Sequence, residues 1–180
     1  MSCISEILKR KGDQEYLVAN DSFAVENGGI YKGYEWLVTF VSLGFRCGYV
    51  AVPKGHYLHG FDLTGCSPHG EETDICFDVY GGITFSETGE HVISPVLGDF
   101  HCDDMWIGFD TGNLNDAKDI GLMEKLFPNE FKNHCEIEKK ISSYREYKPR
   151  NFLKLRTKEY MEKECKSLID QIIEREPNGS

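Results

Sequence analysis

Apolar positions along the chain fall into three kinds of run. The first kind is dense in β-branched and aromatic residues. Glu35–Ser42 (EWLVTFVS) and Arg46–Val52 (RCGYVAV) are nearly continuous in apolar character, the pattern of central strands covered on at least one face. Leu43-Gly44 between them predicts a hairpin, and Pro53 ends the second strand. Met105–Phe109 reads as another strand, as do Ile75–Tyr80 and Ile83–Ser86, with Gly81-Gly82 forming a bulge or a turn between them. Glu15–Ala19 predicts a short strand and Tyr147–Leu155 an extended edge segment. The second kind has helical spacing. Met161, Cys165, Leu168, Ile169, Ile172 and Ile173 recur along Thr157–Glu176, with Thr157 as cap and Pro177 as stop, so this helix is expected to pack on a sheet. Met1–Gly12, capped by Ser2 or Ser5, predicts a short helix; Asp116–Phe127, stopped by Pro128, and Glu130–Tyr144 predict two more. The third kind is polar. Asn20–Gly33 reads as a loop turning at Asn27-Gly28-Gly29, Lys54–Glu72 as a long loop, and Glu87–Asp104 as a polar connection. Strands come first and helices last. That order predicts one α+β domain over residues 1–180: a mostly antiparallel sheet with helices on one face and a long C-terminal helix.

Composition narrows the function classes. The formal net charge of −10 over 180 residues argues against a nucleic-acid polymer as partner, because counterion displacement needs a basic surface. A few local cations and backbone N–H groups can still hold a small anion. No apolar run approaches the roughly 18 residues of a membrane span, and the N-terminus lacks the apolar stretch of a signal peptide. The expectation is a cytoplasmic protein with no membrane partner. Seven cysteines, an odd number with no C-x-x-C pair, read as reduced thiols, with Cys47, Cys76 and Cys165 inside apolar patterns.

Three segments carry the candidate chemistry: Cys47–Gly60, Asp74–Ser86 and Met105–Gly112. Each is an apolar run that meets glycine and then polar residues, and strand-end loops are where binding groups tend to sit. Together they read as three walls of one pocket. Arg46, Lys54 and His56 supply positive charge for a phosphate, and Gly81-Gly82 offers backbone N–H groups beside Thr84 and Ser86. Trp106, Tyr49 and Tyr80 are candidates to stack on a base. Asp110, followed by Thr111, is a candidate acceptor for a ribose or base. Catalytic and metal-binding alternatives are less well specified. His56-x-x-His59 and Cys66-x-x-His69 have zinc-type ligands, but the pairs are crowded compared with usual zinc modules. Cys47, Cys66 or Cys102 with His56 or His101 would make a nucleophile–base pair, yet no signature surrounds them. Asp99, Asp103, Asp104 and Asp110 flank one strand and would suit Mg²⁺ or acid–base work. No P-loop and no G-x-G-x-x-G occurs. The expectation is a binding site with no catalytic residue, no bound metal and no cofactor.

The runs GYVAVPKGH, VYGGITFS and WIGFDTG, with the C-terminal EYMEKECKSLIDQI, resemble a family of small hypothetical proteins common in bacteriophage genomes. That pattern has a histidine before the double glycine, where this chain has Tyr80, and Cys-Ala-His after the last Asp, where this chain has Thr111-Gly112-Asn113. The resemblance implies a phage counter-defence protein acting in the host bacterial cytosol. It would bind and sequester a nucleotide-derived immune signal without turnover. The alternatives are a small hydrolase or phosphodiesterase that degrades such a signal, using His56 with Asp110 or a bound metal, and an interaction protein that blocks a host defence effector. Independently of the resemblance, Tyr147–Leu155 or the C-terminal helix is a candidate surface for a homo-oligomer.

Overall fold

A six-stranded antiparallel sheet organises the chain, in the order β1-β2-β3-β4-β6-β5. Its strands are β1 (Leu17–Asn20), β2 (Phe23–Tyr31), β3 (Tyr34–Val41), β4 (Arg46–Val52), β5 (Phe85–Thr88) and β6 (Met105–Asp110). The helices are α1 (Cys3–Lys11), α2 (Glu90–Leu97), α3 (Ile120–Leu126), α4 (Pro128–Ser142) and α5 (Lys158–Glu174). Two short strands, β7 (Asp116–Ala117) and β8 (Lys154–Leu155), pair in parallel beside the sheet. These elements come from a computed structural model in which residues 2–64, 75–98, 101–113, 115–142 and 153–177 are described.

The hairpin β3–β4 pairs Phe40 with Arg46 and Trp36 with Val50, and β4 pairs Cys47 with Asp110 and Val52 with Met105. Strand alternation then separates the two faces. On one face Trp36, Val38, Val50, Val52, Ile107 and Phe109 meet Met161, Cys165, Leu168, Ile169 and Ile172 of α5, all buried. Thr157 caps α5, accepting from the Tyr160 N–H. On the other face Val25, Leu37, Ala51 and Trp106 meet Cys3, Ile4 and Ile7 of α1 and Val92, Ile93 and Leu97 of α2. A third cluster, around Phe40 and Phe127, packs α3 against one end of the sheet. The α+β class, the antiparallel sheet and the long C-terminal helix are as the sequence predicts. The helical cover extends to both faces, because α1 and α2 occupy the side opposite α5.

Several local expectations are corrected. Asn20–Gly33 is largely strand β2, not a loop, and the turn lies at Lys32-Gly33, both in positive-φ backbone. Gly28 stands inside the strand because a Cβ there would fall 2.5 Å from the Ile4 side chain of α1. Ile75–Tyr80 is not a strand. Its backbone is tied to side chains of α5 and its C-terminal end: Gln171 brackets Asp78, Glu164 accepts from the Tyr80 N–H, and Arg175 donates to the Cys76 carbonyl. The following strand starts at Phe85 rather than Ile83, after a turn in which Gly81 and Gly82 both adopt positive φ. The connection Glu87–Asp104 contains helix α2, which Gly89 and the internal Pro95 disguise. Pro128 opens α4 instead of only stopping α3, a first-turn position that needs no N–H donor. Of Tyr147–Leu155, Lys154 and Leu155 form β8; residues 147–152 lie outside the described residues.

Candidate ligand-binding groove

Two of the three strand-end segments meet. Thr84 donates from its N–H to the Gly108 carbonyl and from its hydroxyl to Asp110 Oδ2 at 2.8 Å. Gly112 N–H donates to the other oxygen, Asp110 Oδ1, at 2.8 Å. A carboxylate has about four lone-pair positions, so two donors orient Asp110 and leave acceptor capacity for a third group. The Asp110 carboxylate borders an open groove of about 440 Å³ on the face opposite α5, at the end that α1 and α2 leave uncovered. Phe23, Phe45, Tyr49 and Phe85 give it apolar walls, and Ser22, Ser42, Thr84 and Asp110 give it polar positions. The Tyr49 and Phe85 rings meet edge to face, 5.6 Å between centroids. Gly108 makes this possible: a Cβ there would come within 2.6 Å of the Tyr49 ring. Burial pushes the Tyr49 phenol up, so the ring is a neutral surface with a hydroxyl at its edge.

The third segment lies elsewhere. Lys54–His56 follows Val52, which pairs with Met105, whereas Asp110 pairs with Cys47. Five residues of strand, roughly 17 Å at 3.3 Å per residue, separate the two ends. At the far end Lys54 Nζ pairs with Asp103 at 3.3 Å. His56 is largely buried. Its Nδ1 accepts from the Leu58 N–H, so Nε2 carries the proton; Nε2 contacts the Tyr34 hydroxyl at 3.0 Å and Glu176 at 3.3 Å. Tyr34 also donates to Glu176. That donor, with His56, holds the Glu176 carboxyl below its ordinary value, while burial and Glu176 push the Tyr34 phenol up. The cluster fastens the 54–64 loop to the end of α5. His56 and Asp110 cannot act on one substrate atom across this distance, which removes the His56–Asp110 hydrolase pairing.

The remaining candidates have separate roles. Arg46, 6% exposed, is enclosed by carboxylates: Nε and Nη2 bond Glu26 at 2.7 and 3.1 Å, and Nη2 bonds Asp119 at 2.9 Å. Its Nη1 donates to the Arg156 carbonyl, and Thr111 Oγ1 bonds its backbone. Both residues hold the fold under the groove rather than face it. Tyr80 donates to Asp116 at 2.8 Å, with the Arg156 guanidinium over its ring. Ser86 ties β5 to the Phe61 carbonyl and the Leu63 N–H. Trp106 is 0% exposed and belongs to the core, so it offers no face to a ligand. Gly81 and Gly82 open onto a second cleft of about 520 Å³ lined by Cys76, Phe77, Asp78, Val79 and Arg175. Phe23, Phe45, Phe85 and Arg175 escaped sequence reasoning, because a lone aromatic or cation carries no motif. Of the zinc-type set, Cys66 and His69 lie outside the described residues; His56 and His59 point to separate partners, His59 to the Asp103 carbonyl.

At the Lys54 end, where Asp104 accepts from the Lys54 N–H, Cys3 and Cys102 are buried neighbours next to Asp104. Hydrogen bonding from Cys3 lowers the Cys102 thiol to about 7, and Cys3 is correspondingly raised. No cysteine among the described residues is in a disulfide. No helix among them is long and apolar enough to cross a membrane. Comparison of the chain with protein-family models, curated proteins and solved structures found no match.

Proposed function

We propose that the protein binds a small, flat, hydrogen-bonding ligand of nucleoside type in the groove beside Asp110, and holds it without chemical change. The observation that carries this reading is the pairing of aromatic walls with one oriented carboxylate in a single groove. Aromatic side chains stack on a base whatever its identity, at about 1–3 kcal/mol per base. The free acceptor positions of Asp110 suit a ribose diol or an exocyclic amine. Among the described residues the groove lining contains no lysine, arginine or histidine, so recognition rests on base and sugar rather than phosphate. Among the described residues its lining also lacks a histidine or lysine base to activate the Thr84 hydroxyl or the Cys47 thiol, which favours retention over turnover.

Sequestration of a nucleotide-derived immune signal, the role the phage-family resemblance implies, is the biological form of this reading. A thermal-shift panel of adenosine, guanosine, ADP-ribose and cyclic dinucleotides tests it. The expected result is stabilisation by at least one nucleoside-containing compound, lost in Asp110→Asn and Phe85→Ala, with the ligand recovered at unchanged mass after denaturation. Absence of any shift at high micromolar ligand overturns the binding reading. A changed mass overturns the claim that binding occurs without turnover.

A further inference from the structure

The sulfur atoms of Cys3 and Cys102 and a carboxylate oxygen of Asp104 all lie within 4.8 Å of one another. They come from distant parts of the chain: Cys3 from the first turn of α1, Cys102 and Asp104 from the approach to β6. Both cysteines are buried, at 3% and 4% exposure, whereas Asp104 reaches partway to solvent.

A second observation points into the same place. The indole N–H of Trp106 is fully buried and has no hydrogen-bond partner within normal geometry. It faces Cys102 across Gly89: a Cβ on Gly89 would stand 2.7 Å from Trp106 Nε1 and 2.8 Å from Cys102 Sγ. The space beside both atoms therefore exists because residue 89 has no side chain. A buried donor left without a partner carries a desolvation cost. A metal-bound thiolate, which keeps its negative charge, is the acceptor that would relieve it, in the way outer-shell donors orient metal ligands.

We propose that Cys3, Cys102 and Asp104 form a binding site for a thiophilic divalent cation of the Zn²⁺ type, with Trp106 donating to the Cys102 thiolate. Tetrahedral zinc places ligand atoms about 3.5–3.8 Å apart, from Zn–S near 2.3 Å and Zn–O near 2.0–2.2 Å. The three atoms need to close by little more than an ångström at most. On binding, each thiol forms a metal–sulfur bond and releases its proton to solvent. The carboxylate supplies the third bond, and a solvent molecule on the Asp104 side the fourth. The site is independent of the groove, and either can be present without the other.

Titration of the full-length, reduced chain with Co²⁺ tests the site. The expected result is one equivalent bound, with sulfur-to-cobalt charge-transfer absorption and visible bands of tetrahedral intensity, all displaced by Zn²⁺. Cys3→Ser/Cys102→Ser abolishes the signal. Asp104→Asn and Trp106→Phe each weaken binding by about tenfold or more, the scale of ligand-support losses; they leave both sulfurs in place, so the test survives if the double-cysteine variant fails to fold. Cys135→Ser leaves binding unchanged. Three results overturn the proposal: no charge-transfer band in the wild type, a band that persists in Cys3→Ser/Cys102→Ser, or a band indifferent to both Asp104→Asn and Trp106→Phe.

Discussion

One face of the sheet is sealed by a single long helix; the other is only half covered by two short ones. Along α5, five side chains from Met161 to Ile172 are fully buried against the strands. Across the opposite face, α1 and α2 cover Leu37, Ala51 and Trp106, whereas Tyr49 is only partly buried at the edge of that cluster and Asp110 borders the open groove. The sealed face spends its sequence on packing and on the buried Arg46–Glu26–Asp119 ion group. The half-covered face retains what packing does not need, an aromatic groove and an oriented carboxylate. Length of helical cover, more than residue type, decides which residues are available to a ligand.

The largest predicted effect sits under the sealed face. Arg46→Ala leaves Glu26, 2% exposed, without its partner, so urea unfolding is expected to register a loss of about 3–5 kcal/mol. Arg46→Met in place of Arg46→Ala will not rescue it while Glu26 remains. Next comes Leu168→Ala on α5, expected to cost about 2–5 kcal/mol by cavity formation. If Asp110→Asn proves as costly as Leu168→Ala, the distinction between a structural and a functional face fails.

Smaller effects sharpen the contrast. Gly108→Ala drives a methyl into the Tyr49 ring and is expected to destabilise by about 1–3 kcal/mol, while reducing binding at the groove more than Leu168→Ala does at matched temperature margin. The smallest effect is a pH dependence at the far end. The Tyr34 hydroxyl, then His56, lowers the folded-state value of Glu176. Its contribution is therefore present above the ordinary carboxylate range and lost as pH falls through the depressed folded value. Unfolding curves recorded across that range should flatten in Glu176→Gln. An unchanged acid slope in the variant assigns the acid sensitivity to other carboxylates.

Elements with strong periodicity were legible from the chain: the β3–β4 hairpin, β6 and α5 all stand within a residue or two of expectation. What escaped was decided by tertiary partners. β2 contains Asn27-Gly28-Gly29, a turn signal that yields because α1 needs Gly28 bare. Ile75–Tyr80 looks like a strand but finds its hydrogen-bond partners in the Gln171 and Glu164 side chains. At the site, the sequence marks Thr84 beside the Gly81-Gly82 pair and Asp110 at the end of an apolar run, and the fold joins them by a hydrogen bond. Lys54 and His56 read as part of the same pocket because motif grammar reports that a segment ends a strand, not which end of the sheet it reaches. The Cys3–Cys102 pair had no sequence signal, as its members are separated by nearly a hundred residues.

The claim that the half-covered face is the binding face is tested most directly by an NMR titration of the labelled protein with adenosine and ADP-ribose. The account predicts saturable shifts at Phe23, Tyr49, Phe85 and Asp110, with His56, Tyr34 and Glu176 unmoved. Shifts that cluster at His56 and Glu176 instead, or no saturable shift anywhere, would contradict it.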